Sequence, residues 1–386
     1  VKGTNETLTV VVYEGTPKKR DVLDLDVDFV VMSYGLFKND FESLTRFFSG
    51  RKFGLICDEA HAVKNIESQT HKTVRDFCEG APLALLTGTP LTTPMDAYAY
   101  VKLIAPGVYR NKRQFENIHV LERDDYDKVT RWDNLELLAE NMKINASRVL
   151  RRDVVKDLPP VTYTKVVYNL APAHAKLYNR IAQEKLVEFD DGREINAIST
   201  QALYSALQQV IINWAEFEDD PSKEPACLEL IDEVMEEIGP TAKLAIVANF
   251  IRSNRYLVEK LQKYGVVALY GEVSAANKQK SITRFINDPD CRCILLQPAS
   301  AGFGVDGLQY VCSDMLVLEA PTVAPPFGQV VARLDRDGQT NPVNCRVAIA
   351  SNTVQVRMFR NLLENDKTVN SVQGGYKDLK EAIYGE

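Results

Sequence analysis

Apolar residues in this chain gather into short unbroken runs, and each run stops on polar residues. Residues 9–13 give way to Glu14-Gly15, residues 53–57 to Asp58-Glu59, and residues 83–86 to Thr87-Gly88-Thr89-Pro90; residues 28–34 form a further run of this kind. Strands that are apolar at successive positions are covered on both faces, so the runs predict a parallel sheet flanked by helices, with polar chemistry outside its carboxyl ends. From residue 95 to 150 the pattern turns helical and charged. Leu158-Pro159-Pro160 then breaks any helix and leads into an extended stretch at 161–170. Helices are predicted over 172–186 and 200–214, separated by the turn-forming Asp190-Asp191-Gly192, with a polar loop at 219–224. A second strand and helix series follows, with apolar runs at 244–247, 266–269, 293–296, 315–318 and 347–350 and helices at 253–264 and 277–287. The expectation is an α/β chain of two lobes: residues 1–150 with a helical extension, a linker at 151–170, and residues 171–386 with a helical insertion.

The segment 328–339, GQVVARLDRDGQ, has another rhythm. Gln329, Arg333 and Arg336 stand at i, i+4 and i+7, one face of a helix, while Val330, Val331 and Leu334 cover the other. A helix is therefore predicted over this segment. Two arginines held side by side suit the task of neutralising charge on a transferring phosphoryl group across a cleft. The same spacing also occurs on ordinary solvated helices.

Composition narrows the class. At 386 residues and 45% hydrophobic content the chain is long enough for two proper cores. No run approaches the roughly 18 to 20 apolar residues of a membrane span, and VKGTNETL has no basic leader before an apolar core. A cytoplasmic protein with no membrane partner is expected. The seven cysteines sit mostly in apolar segments, as Cys57 does in LIC and Cys291 and Cys293 do in CRCILL. There they act as small hydrophobes, and alternate cysteines on a strand point to opposite faces, which argues against a metal site. A net charge of −7 argues against a wholesale nucleic-acid coat but leaves room for a local basic groove. Acidic stretches at 124–127 and 216–220 and basic ones at 110–113 and 148–152 read most simply as solvated faces.

Taken in order, the motifs form a set. Tyr13-Glu14-Gly15, the box Asp58-Glu59-Ala60-His61, Lys64-Asn65, LTGTP, Arg151-Arg152 leading to Leu158-Pro159, Gly271, Ser300-Ala301-Gly302 and QVVARLDRDGQ run through nearly the whole chain. Together they resemble the Snf2-type branch of superfamily 2, the ATP-driven double-stranded DNA translocases. The resemblance implies two RecA-like lobes, ATP and Mg2+ as cofactors, and double-stranded DNA as partner. It makes Asp58, Glu59, Arg333 and Arg336 the expected catalytic residues. Paired acids at a strand end divide the work, Asp58 holding Mg2+ through water and Glu59 aligning and activating the attacking water. Arg336 becomes the expected arginine finger, with Arg333 beside it. His61, Thr87, Gly88, Thr89, Gly304 and Gln329 are expected to bind the nucleotide or couple its state to lobe closure. Gly271, Ser300 and Gly302 are expected to meet DNA, glycine allowing a phosphate close to the backbone. The sequence departs from the family pattern at Ala332 (usually aspartate), Asp337 (usually isoleucine), Lys278 (usually arginine) and Thr92-Thr93 (usually glutamine and asparagine).

A motor of this kind cradles its triphosphate on a glycine-rich loop ending in Gly-Lys-Thr or Gly-Lys-Ser, and no Gly-Lys pair occurs in these residues. The family places that loop ahead of Tyr13-Glu14-Gly15. The first lobe is thus expected to be incomplete, its nucleotide loop lying upstream of Val1 or on a separate polypeptide. Three readings stand: a translocase core that remodels DNA or protein–DNA complexes; a non-catalytic DNA-binding or assembly subunit with a degenerate or split ATPase site; and an RNA or single-strand helicase. The last shares the DEAH box but not the link from Arg151 to Pro159.

Overall fold

The computed structural model describes residues 8–124, 127, 129–149, 154–155, 157–184, 186–188, 194–196, 200–218, 224–301, 305–321 and 323–373. Arg151-Arg152, Asp190-Asp191-Gly192, most of the predicted loop at 219–224, and both Gly302 and Gly304 lie outside the described residues. The chain divides into two compact units, Val1–Ser147 and Arg148–Glu386.

In the first unit, β1 (Val10–Val12) pairs in parallel with β2 (Phe29–Val31), and β3 (Leu55–Cys57) in parallel with β4 (Leu83–Leu85). Helices Tyr34–Asn39, Phe41–Phe48 and Gln69–Phe77 bring together Phe37, Phe41, Phe48 and Phe53 around the ring of Phe77. The strands themselves are covered unevenly. Val10, Val12, Phe29, Val31 and Ile56 are between 46% and 60% exposed. Val10 faces Phe29 and Val12 faces Val31 across the pair, so these four side chains form one open apolar face.

The region 95–150 is less helical than its pattern predicts. Helices Pro94–Ile104, Lys112–His119 and Leu135–Lys143 are joined by an antiparallel hairpin of β5 (Val120–Arg123) and β6 (Val129–Trp132). Valine, threonine and tryptophan favour a pleated surface there. Within the hairpin Arg131 pairs with Glu122 and Arg123 with Asp127.

The second unit contains β7 (Val161–Tyr168), the antiparallel pair β8 (Leu186–Glu188) and β9 (Glu194–Asn196), and then β10 (Leu244–Val247), β11 (Val266–Leu269), β12 (Cys293–Leu296), β13 (Asp314–Val317) and β14 (Val343–Ala350). Six of these form one parallel sheet in the order β11-β12-β10-β13-β14-β7. Part of the stretch expected as linker is thus a sheet strand, since β7 pairs with β14 along its whole length. Successive side chains enter opposite cores. Val247, Ile294, Leu296, Met315 and Val317 pack with Phe285, Phe327 and Leu334, whereas Leu244, Ile246, Leu295 and Leu316 pack with Ile231 and Leu257. Each such side chain gains about 1.5–3 kcal/mol on burial, which is why apolar runs rather than alternation mark these strands. The helical insertion, Pro172–Glu184 with Thr200–Glu218, forms a third core of Leu177, Ile181, Ile211 and Trp214 against Val354 and Met358.

The predicted helix over 328–339 is corrected. A helix runs from Ala324 to Val331, and the residues after it are turns. The turns beyond it are held by Gln339, 6% exposed. Its Nε2 donates to the carbonyls of Cys312 (2.9 Å) and Leu334 (3.3 Å), and its Oε1 accepts from the N–H groups of Thr340 and Asn341 (both 3.0 Å). Gly338, at φ +91°, supplies the left-handed residue that the reversal needs.

Candidate functional site

Asp58 and Glu59 leave the carboxyl end of β3, and Thr87, Gly88 and Thr89 leave that of its neighbour β4. The chain turns sharply at the acids. Glu59 sits in the left-handed region, φ 47° and ψ 49°, a conformation that costs an L-residue roughly 1–2 kcal/mol. Ala60 N–H donates to the Leu86 carbonyl (2.8 Å), tying the DEAH segment to the strand that leads into LTGTP. Lys64 Nζ bonds Thr92 Oγ1 and lies 3.9 Å from Asp96 Oδ2, a second tie between the two segments. Asp96 also accepts from the N–H groups of Thr92 (2.7 Å) and Thr93 (3.0 Å), and burial raises its pKa.

Within this frame the side chains are laid out for use. Asp58 is exposed, its Oδ1 accepting from the Glu59 N–H at 3.0 Å. The Tyr34 hydroxyl donates to the Asp58 carbonyl (2.8 Å), and burial, with Cys57 and the two acids nearby, pushes the phenol well up. His61 Nδ1 lies 3.2 Å from Glu59 Oε2. Thr87 Oγ1 accepts the Thr89 N–H at 3.1 Å, which closes the loop between the two threonines. The sequence-predicted acids, His61 and the threonine loop therefore share adjacent strand ends of one unit. Lys64, Asp96 and Tyr34, which hold this arrangement, carry no such role in the sequence analysis. Only Lys64-Asn65 was legible there, as a motif without a contact.

No group of three or more His, Cys, Asp or Glu among the described residues is arranged to hold a metal ion. Magnesium at a nucleotide needs no such group, since it takes one or two protein carboxylates, several waters and the ligand's phosphates. Asp58 is the exposed carboxylate at this strand end.

In the second unit the arginines meet by turns rather than along a helix. Arg333 Nη1 and Arg336 Nη1 both donate to the Val305 carbonyl, at 3.2 and 3.3 Å, and Arg336 also pairs with Asp306 Oδ1 at 3.0 Å. Hydrogen bonds from Gln309 and the Gly307 N–H, with Arg336 adding its charge, hold the Asp306 carboxyl below the usual carboxylate range. Gln329 is half-buried on the preceding helix. Gly271 follows β11 and Ser300 follows β12, and one side chain joins them. Gln297 Oε1 accepts from the Gly271 N–H (2.8 Å) and the Ser300 hydroxyl (3.1 Å). Neither Gln297 nor Glu319, buried after β13, is singled out by the sequence analysis. Each is a polar residue directly behind an apolar run, the signal that marked Asp58.

A family model described as the SNF2-related domain matches residues 2–213. The chain belongs to that family. Its curated relatives include an uncharacterized ATP-dependent helicase, MG018, of Mycoplasma genitalium, 26% identical over 375 residues that cover 93% of this chain and 34% of the relative. A DNA repair and recombination protein RAD54-like of Drosophila persimilis is 24% identical over 378 residues, 87% of this chain and 47% of the relative. The DNA annealing helicase and endonuclease ZRANB3 of Mus musculus is 24% identical over 369 residues, 91% and 33%. This SNF2-related chain thus spans between about a third and a half of the length of those relatives. Among solved structures, the Sulfolobus solfataricus SWI2/SNF2 ATPase core in complex with dsDNA matches 98% of this chain and 81% of its own, at 20% identity and a TM-score of 0.39. No helix among the described residues is long and apolar enough to cross a membrane.

Proposed function

We propose that this chain is the working core of an ATP-driven motor that moves along double-stranded DNA and remodels DNA or protein–DNA complexes. The observation that supports this most directly is the Asp58-Glu59 pair on a left-handed turn, hydrogen-bonded beside the LTGTP strand end, in a member of the SNF2-related family. Bound ATP and Mg2+ would supply the cleavable phosphoanhydride and the charge that polarises it. Asp58 would hold the ion through water, and Glu59 would orient the attacking water and take its proton, with His61 Nδ1 3.2 Å from Glu59 Oε2. Arg336 and Arg333 are the cations available to stabilise charge on the transferred group. The Asp306 partner of Arg336 is 72% exposed, so breaking that ion pair costs little. DNA contacts at Gly271, Ser300 and Gly302 would fall on phosphates and so be salt-dependent and largely indifferent to sequence.

The phosphate-binding loop is supplied, on this reading, by polypeptide outside these residues. Two observations support that: the absence of a Gly-Lys pair, and the open apolar face of Val10, Val12, Phe29 and Val31 on strands of a kind that are covered on both sides. The same absence favours a second reading, a DNA-binding subunit that no longer hydrolyses ATP. The two are separated by combining the chain with a strand-loop-helix polypeptide that ends its loop in Gly-Lys-Thr. A motor then shows ATP turnover stimulated by duplex DNA. Glu59→Gln keeps nucleotide binding and lowers turnover by about 10²- to 10⁴-fold. Duplex binding without turnover supports the scaffold, and turnover unchanged by Glu59→Gln removes that residue from its role.

A further inference from the structure

We propose that Gln297 and Glu319 are positioning residues, which together set the spacing of the loops after β10, β11 and β12 where these meet the phosphates of duplex DNA. The inference rests on the reading of Gly271 and Ser300 as DNA contacts. Sheet order makes Gln297 the residue able to do this. β12 lies between β11 and β10, so a side chain at its carboxyl end can reach the loops on both sides. Gln297 uses both ends of its amide. Oε1 accepts from the Gly271 N–H beyond β11 (2.8 Å) and from the Ser300 hydroxyl (3.1 Å), while Nε2 donates to the Asn249 carbonyl beyond β10 (3.0 Å).

The Asn249 loop is fixed in turn from the next strand. Glu319 follows β13 and is fully buried. Its Oε2 accepts the N–H groups of Asn249 (2.7 Å) and Phe250 (3.0 Å), and its Oε1 accepts the Ser253 hydroxyl (2.6 Å). One line of hydrogen bonds thus crosses four neighbouring strand ends, from Gly271 through Gln297 and Asn249 to Glu319. Strand order reverses around β10, the place where open α/β sheets bind their ligands. Gln297 is neutral, and its acceptor is spent on Gly271 and Ser300. It therefore acts on DNA through the placement of those two residues rather than through a phosphate contact of its own.

The test measures binding of a labelled duplex of arbitrary sequence to the full chain by fluorescence anisotropy, over a range of salt, beside the thermal midpoint. Gln297→Met keeps length and removes every hydrogen bond. It is expected to weaken binding about five- to tenfold, leave the salt slope unchanged and shift the midpoint by only a few degrees. Glu319→Gln can present its oxygen to both backbone N–H groups and donate to Ser253, so it binds duplex within about twofold of the parent, whereas Glu319→Ala falls with Gln297→Met. If Glu319→Ala does not fold, Gln297→Met decides alone. Parent-like binding by Gln297→Met overturns the inference, and so does a shallower salt slope, which would make Gln297 a direct contact. A parent chain that does not bind duplex at all overturns the DNA reading and the inference with it.

Discussion

Glu319 offers a measurement of the second unit that needs neither nucleotide nor DNA. Burial pushes its carboxyl from 4.5 up to about 7, against the opposing pull of the Ser253 hydroxyl and the Phe250 and Asn249 N–H groups. An acid with a raised folded pKa holds its proton more tightly folded than unfolded. Its contribution to stability is therefore complete below 4.5 and is lost as pH rises through 7. Linkage over that window gives a loss of about 2.5 kcal/mol between about pH 5 and pH 8. Set against a total of roughly 5–15 kcal/mol for a domain, that is large enough to read from urea midpoints. Trp214 lies in the third core of the second unit, so its fluorescence follows that unit once Trp132→Phe has silenced the first. Glu319→Gln keeps the hydrogen bonds and removes the titration. The parent should lose about 2–3 kcal/mol more than Glu319→Gln between the two pH values. Other groups cancel in that difference. One is His174, which burial lowers to about 4 and which destabilises in the opposite direction, toward acid. Parallel pH curves for the two proteins would show that Glu319 is not held as described.

Two further outcomes are expected. Arg336→Ala, in the chain complemented with a phosphate loop, should cut ATP turnover on the order of 10³-fold while duplex affinity stays within about twofold. Weaker DNA binding with near-normal turnover would make Arg336 a phosphate contact instead. Gln339→Ala leaves four backbone groups short of partners and should lower the unfolding free energy of the second unit by about 2–4 kcal/mol; a urea titration giving less than about 1 kcal/mol would mean that water replaces the amide.

How legible each part was follows from the range of the forces behind it. β10, β11 and β12 match the apolar runs residue for residue, because a strand buried on both faces is specified by its own side chains. β14 begins four residues before the apolar run at 347–350, since Asn344 and Arg346 interrupt it. Those two are admitted because Asp314 accepts from both, with Glu237 taking the other end of the guanidinium. β7 sits at the sheet edge, with Val161 and Tyr163 packed on one core and Val166 and Tyr168 on the other and exposed residues between them, so without an unbroken apolar run, and behind two prolines, it reads as a linker. In GQVVARLDRDGQ the spacing identified which side chains belong together, and both arginines do converge on Val305. The turns beyond Val331 were not legible there, because they are held by Gln339, which reaches Cys312, 27 residues earlier in the chain.

Strand-end polar residues are the clearest case of a signal that the sequence gives without its meaning. Asp58, Gln297 and Glu319 each follow an apolar run directly, and nothing local separates them. The separation lies in how their hydrogen-bonding capacity is used. Glu319 is fully buried with three donors on its two oxygens, and Gln297 uses both ends of its amide on three neighbours. A group committed in that way can hold loops but has little left to offer a ligand. Asp58 is exposed with one short-range bond to the next residue's N–H, and Glu59 keeps 41% of its side chain open on a backbone turn that costs energy to maintain. Unspent acceptor capacity on a strained turn is what chemistry requires and folding does not. On the proposed reading the two acids serve the reaction, while the glutamine and the buried glutamate hold the loops at the strand ends of their own unit.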